Sequence, residues 1–119
     1  MNNIIKGILV QPGCIPIVVE FNNTLKRMQS LVCGRIEPVY LGYDEDVVVF
    51  VNEEGKLFAL PSNKIVISKK GEILDTLVGN ILIVGNNPDT GETISIPEGK
   101  LSKYFNMFLD NKIIVGGDC

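Results

Sequence analysis

Few side chains in this sequence could do chemistry. None of its 119 residues is a histidine. That excludes a histidine general base, a Ser-His-Asp or Cys-His relay, and a histidine-ligated metal. Three cysteines cannot build a four-cysteine zinc site within one chain. Arg35 follows Gly34, where a helix gives way to a strand. Its guanidinium suits a bidentate grip on phosphate or carboxylate, and its plainer role is a surface ion pair with Glu37 or another acid. Asn52, Asn63 and Asn80 each fall at a strand boundary, where asparagine is usually a turn former. Three amides at comparable places could also hydrogen-bond a polar ligand, with Tyr40 or Tyr43 stacking on a base. Arg35, Tyr40, Asn52, Asn63 and Asn80 are the candidate ligand-binding set. No catalytic residue, metal ligand or cofactor is expected.

Carboxylates can support acid-base work without histidine. Glu53 and Glu54 are the adjacent glutamate pair, but neighbours on an extended chain point apart. A hydrolase using Glu53 or Asp75 is therefore the weaker reading. Asp44-Glu45-Asp46 lacks the spaced ligands and bidentate glutamate of a calcium loop and reads as a solvated loop. NNPDTGE at 86–92 reads as a hairpin connection. Neither GxGxxG nor GxxxxGK[ST] occurs, so no dinucleotide or P-loop phosphate cradle is signalled.

The elements that must position these groups follow from periodicity and turn chemistry. IIKGILV at 4–10 and IPIVVEF at 15–21 read as a hairpin with Pro-Gly-Cys at its tip. Pro16 cannot donate to a ladder, which puts the second strand at an edge or makes Pro16 its start. Asn22-Asn23-Thr24 can cap a helix whose apolar stripe is Leu25, Met28, Leu31 and Val32, with Gly34 as its left-handed C′ residue. RIEPVYL at 35–41 contains a proline and is again edge-like. VVVFV at 47–51 and ILIVG at 81–85 suit central strands buried on both faces. A turn at 52–55 predicts a return strand over Lys56 to Leu60, broken by Pro61. Residues 64–68 form a short strand, and 73–78 fit either a strand or one helical turn. ETISI at 92–96 pairs back as a hairpin partner. Pro97 opens a second helix with Leu101, Tyr104, Phe105 and Phe108 on one face. The class is α+β: a mainly antiparallel twisted sheet of six to eight strands with two helices. One domain covers residues 1–111, and 112–119 form a C-terminal strand or flexible tail.

Hydrophobic residues make up 45% and charged residues 21% of the sequence, the balance of an ordinary globular domain. Net charge is −3, with no basic stripe, so neither nucleic acid nor membrane is an expected partner. An odd, sparse cysteine set points to a reducing compartment. No leader pattern and no apolar run near the roughly 20 residues of a membrane helix is visible. A cytoplasmic protein is expected.

VNEEGKLFALPSN at 51–63 and GEILDTLVGNILIVG at 71–85 resemble a family of small domains of unknown function, the 3846 domain of unknown function, from phages, plasmids and their hosts. Asn52, Glu53, Glu54, Gly55, Leu60, Pro61, Asn63, Gly79 and Gly85 match its pattern. LKRMQSLVCGRIEPV matches at Val32, Gly34, Ile36, Glu37 and Val39, and ISIPEGKLSKYF resembles its terminal helix. The resemblance covers residues 4–108 and implies a mobile-element context without an established activity. Some small phage proteins sequester nucleotide-derived immune signals between subunits. The expected function by analogy is a non-enzymatic anti-defence sponge for a small polar or nucleotide-like ligand. A homo-oligomer is expected, because so small a domain has little room for an internal pocket. The alternative is a protein inhibitor of a host protein, acting through an exposed strand edge or the Tyr104–Phe108 helix face.

Overall fold

The two continuous apolar runs form the middle of the molecule. In a computed structural model describing residues 3–42 and 44–115, the first sheet is built from β1 (Ile4–Val10), β2 (Ile17–Asn22), β3 (Ile36–Val39), β4 (Val47–Asn52), β7 (Ile81–Asn86) and β8 (Thr93–Ile94). Its order is β2-β1-β7-β4-β3, with β8 also paired to β7. β4 and β7 are central and run antiparallel from Val47↔Gly85 to Phe50↔Leu82. The outer strands are those marked by proline: Pro38 lies within β3, and Pro16 immediately precedes β2. A residue without an N–H is tolerated where no neighbour needs the donor.

β7 shares one side between two partners. β1 pairs with it from Ile8↔Ile83 to Val10↔Ile81. Beyond Gly7, β8 takes over through Gly85↔Ile94 and Asn86↔Thr93. The segment after β8 wedges against β1: the Lys6 N–H donates to Ser95 Oγ at 2.9 Å, and the Ile96 N–H donates to the Lys6 carbonyl at 2.9 Å. Glycine at 85 makes this crossing possible, since a Cβ there would lie 2.2 Å from the Ser95 carbonyl oxygen.

A second sheet contains β5 (Ser62–Ile67), β6 (Ile73–Val78) and β9 (Lys112–Ile114), in the order β6-β5-β9. Residues 73–78 are thus a strand. Residues 112–114 form the C-terminal strand, running parallel to β5 with Ile113 fully buried. The return strand over Lys56 to Leu60 does not form. Residues 53–59 make successive turns, with the Phe58 N–H donating to the Glu54 carbonyl and the Leu60 N–H to the Gly55 carbonyl. The reason is topological: β3 and β7 already flank β4, and the chain leaves for the other sheet.

Three layers result. α1 (Leu25–Val32) covers one face of the first sheet, where Met28 and Val32 pack with Ile5, Phe21, Leu82 and Val84. On the opposite face, Ile8, Val10, Val49, Ile81 and Ile83 meet Val66, Leu77 and Ile113 of the second sheet, Tyr104 of α2 (Glu98–Met107) and Phe108 just past its end. The class is α+β and mainly antiparallel, with two helices and nine strands among the described residues, six of them in the larger sheet. Among the described residues no helix is long and apolar enough to cross a membrane.

Candidate functional site

The last carbonyls of a helix have no partner within it, and at α1 the asparagines supply one. Asn52 Nδ2 donates to the Cys33 carbonyl at 3.1 Å and the Val32 carbonyl at 3.4 Å. Its Oδ1 accepts from the Glu54 N–H at 2.8 Å. Asn80 Nδ2 donates to the Leu31 carbonyl at 2.9 Å. Asn63 Nδ2 bridges the Val10 carbonyl at 2.9 Å and the Gly79 carbonyl at 2.8 Å, tying β1 to the turn between β6 and β7. These amides hold backbone rather than facing a common cleft. The left-handed residue at the end of α1 is Cys33, at φ 64°, and not Gly34. Gly34 answers a different need, for a Cβ there would lie 2.6 Å from Asn52 Nδ2.

Arg35 is exposed and, among the described residues, makes no ion pair with Glu37 or any other acid. Tyr40 stands at the far end of β3, roughly 16 Å away at about 3.3 Å per extended residue. Arg35 and Tyr40 therefore do not grip one small group together. Tyr43 lies outside the described residues.

The structure brings together a different set. The β3–β4 connection folds against α2, which presents Lys100, Lys103 and Tyr104 at i, i+3 and i+4 on one face. The Asp44 carboxylate accepts from Lys100 Nζ, from the Tyr104 hydroxyl at 2.8 Å and from Lys103 Nζ at 3.4 Å. Asp46 stands 3.9 Å from Lys100 Nζ. Beside this cluster opens a cleft of about 280 Å³, lined by the apolar Val39, Leu41, Val47 and Val49, by the buried Tyr104, and by the Asp44 and Glu45 carboxylates. Tyr40 lines it too and is 84% exposed. The acidic run is thus only partly the solvated loop its composition suggests: Glu45 is exposed, while Asp44 is held against α2.

The Lys100 ammonium, foremost, and then the Tyr104 hydroxyl and Lys103 hold the Asp44 carboxyl below the ordinary aspartate value of 3.8, against the opposing effect of burial. Asp44 in turn raises Lys100 above the usual lysine range. The folded protein binds the Asp44 proton less readily than the unfolded chain does. The stability this carboxylate contributes is therefore complete above the unfolded value and is lost as pH falls through the folded one. Thermal melts between pH 2.5 and 6 (about one unit below to two above that value) should show a steeper acid loss for wild type than for Asp44→Asn. Parallel curves would mean that the contact contributes nothing.

Glu53 and Asp75 line, with Glu37 and Lys56, one depression of about 100 Å³. Asp75 Oδ1 accepts from Lys56 Nζ and from the Thr76 N–H. That space is about a third of the roughly 300 Å³ at which ligand pockets start. Among the described residues no cluster of three or more Cys, Asp and Glu could hold a metal ion.

The sequence match to a known family spans this whole arrangement. Residues 5–109 match the model of the family described as Domain of unknown function (DUF3846). No curated protein and no solved structure matches the chain. The matched span runs from β1 through α2 and contains both helices, the asparagine links and the Tyr40 cleft. The chain belongs to the DUF3846 family of domains of unknown function.

Proposed function

We propose that this domain is a non-enzymatic binding protein that holds the base of a small nucleotide-derived molecule in the cleft between the 40–46 loop and α2. The cleft itself carries this reading: about 280 Å³, an aliphatic lining, two carboxylates and an exposed tyrosine. Ligand pockets start at about 300 Å³ and combine apolar walls with a few convergent polar groups. The Tyr40 ring offers a stacking face, worth about 1–3 kcal/mol per base. The Glu45 carboxylate offers an acceptor for an exocyclic amine. Asp44, fixed by its hydrogen bonds to α2, keeps the loop in place. With Arg35 at the other end of β3, recognition falls on the base rather than on a phosphate.

The most specific form of the proposal is a sponge, carried by a phage or other mobile element, that withholds a nucleotide-derived defence signal in the host cytoplasm. Its support is the family resemblance together with a sequence that lacks histidine. The rival reading, an inhibitor that docks on a host protein, draws on the unpaired edge of β2. The α2 face offers it little, because Tyr104 and Phe108 are buried in the core.

Native mass spectrometry with linear and cyclic nucleotides and the matching nucleosides tests the proposal. One base class should be retained, and its nucleoside should be retained as well. If nothing is held by a folded sample, the cleft is not a base site.

A further inference from the structure

The cleft beside Tyr40 is one of two hollows that meet at the 40–46 loop. The second, of about 210 Å³, is lined by Tyr40, Asp44, Glu45, Val47, Val48 and Asn86. The first includes Val49 where the second includes Val48. Neighbouring residues of a strand point to opposite faces, so the hollows lie on the two faces of the larger sheet at this end of β4. Tyr40 and Glu45 line both. Among the described residues neither hollow is lined by a lysine or an arginine. The nearby charges are not balanced. Lys100 and Lys103 both bind Asp44, and Lys100 also stands 3.9 Å from Asp46. Glu45 makes no ion pair among the described residues. Its backbone is nevertheless pinned to β7. Asn86 Nδ2 donates to the Glu45 carbonyl at 2.8 Å, and the Asn86 N–H donates to the Asp46 carbonyl at 2.7 Å. An exposed aromatic ring and a carboxylate without a counter-ion thus share one position on an anchored loop.

We infer that the base held beside Tyr40 is cationic: a nucleoside whose ring nitrogen is methylated, so that the base carries a positive charge. This rests on the base reading above and adds the charge of the ligand to it. A cation over the face of a tyrosine is attracted by the negative face of the ring. The Glu45 carboxylate supplies the opposite charge beside it. The apolar side chains Val39, Leu41, Val47 and Val49 in the lining disfavour a group that must keep its water. A charge spread over a flat ring is weakly hydrated, as a guanidinium is when compared with an ammonium, and so suits an apolar wall better than a primary amine does. A neutral base uses the stacking face of Tyr40 alone. A phosphate would meet two carboxylates and no cation in either hollow.

Isothermal titration calorimetry on the full chain tests this with N1-methyladenosine, N3-methylcytidine and N7-methylguanosine at mildly acid pH, where all three are cations, each against its unmethylated parent. For one of them the methylated form should bind about tenfold tighter than the parent, the size of a moderate cation–π gain. Glu45→Gln should lower that ratio, and added salt should lower it in the wild type. A 5′-phosphate on the preferred nucleoside should weaken binding. A parent bound as tightly as its methylated form overturns the inference and leaves the base reading standing. So does a ratio that Glu45→Gln does not change. Tetramethylammonium bound as tightly as the methylated nucleoside also overturns it, because any cation would then serve. If none of these nucleosides binds, methylated or not, the base site itself is gone and this inference with it.

Discussion

Alanine at Gly85 is expected to lower stability by about 3 kcal/mol, the upper range for overpacking a filled site, and the Tm by roughly 10 °C in a domain of this size. The added Cβ would lie 2.2 Å from the Ser95 carbonyl oxygen and 2.8 Å from its carbon, and both are backbone atoms. That backbone cannot swing aside freely. The Lys6 N–H is bonded to Ser95 Oγ, and the neighbouring Ile96 N–H is bonded to the Lys6 carbonyl. Relief requires moving the wedge between β1 and β7, which carries the buried Ile96. Gly99→Ala is the matched control. It lies in α2 with nothing within 4 Å of its added Cβ, and alanine is the better helix former. Thermal melts of both variants check the pair. If Gly85→Ala melts with wild type, the Ser95 segment does not cross where the packing places it.

Asn52→Ala is expected to cost a similar amount, about 3 kcal/mol, at roughly 1 kcal/mol for each hydrogen bond lost and more for each group left buried. The Val32 and Cys33 carbonyls lose a donor, and the Glu54 N–H loses an acceptor. Asn52→Asp tests the same point differently. It keeps an acceptor for Glu54 but turns an oxygen towards two carbonyls, so it too should be destabilising. Urea unfolding of both variants measures the effect, and native-like stability in either would remove Asn52 from its structural role. This outcome bears on the candidate ligand set, since an amide that serves the end of α1 costs stability when removed, whereas a ligand-facing amide costs affinity.

What could be read in the sequence was what neighbouring residues decide. Pro38 and Pro16 mark the outer strands because a missing N–H is a local fact. VVVFV and ILIVG mark the central pair because both faces must be apolar. Thr24 accepts from the Arg27 N–H at 3.1 Å as the cap its residue type suggests. The return strand expected over Lys56 to Leu60 is absent because β3 and β7 fill both sides of β4, which no local pattern records. The asparagines look like turn formers, but their partners lie up to 53 residues away in the chain. The cleft was hidden for the same reason, with Asp44 and Tyr104 separated by 60 positions. Each half was visible as an acidic loop and an amphipathic helix. The helix pattern did place Tyr104 in the core, where its ring lies buried, and gave no sign that its hydroxyl reaches the loop. The spacing Lys100, Lys103, Tyr104 was the signal available: two cations and a hydroxyl on one helical face call for an anionic partner.

Whether the cleft beside Tyr40 holds a base is decided by an amide NMR titration with the four ribonucleosides. Shifts should gather at residues 39–49 and around Tyr104 for one base, and Tyr40→Ala should weaken that binding about tenfold, a stacking loss near 1.4 kcal/mol. Shifts confined to Arg35 and Asn80 at the opposite end of β3, or none for any of the four, would contradict it.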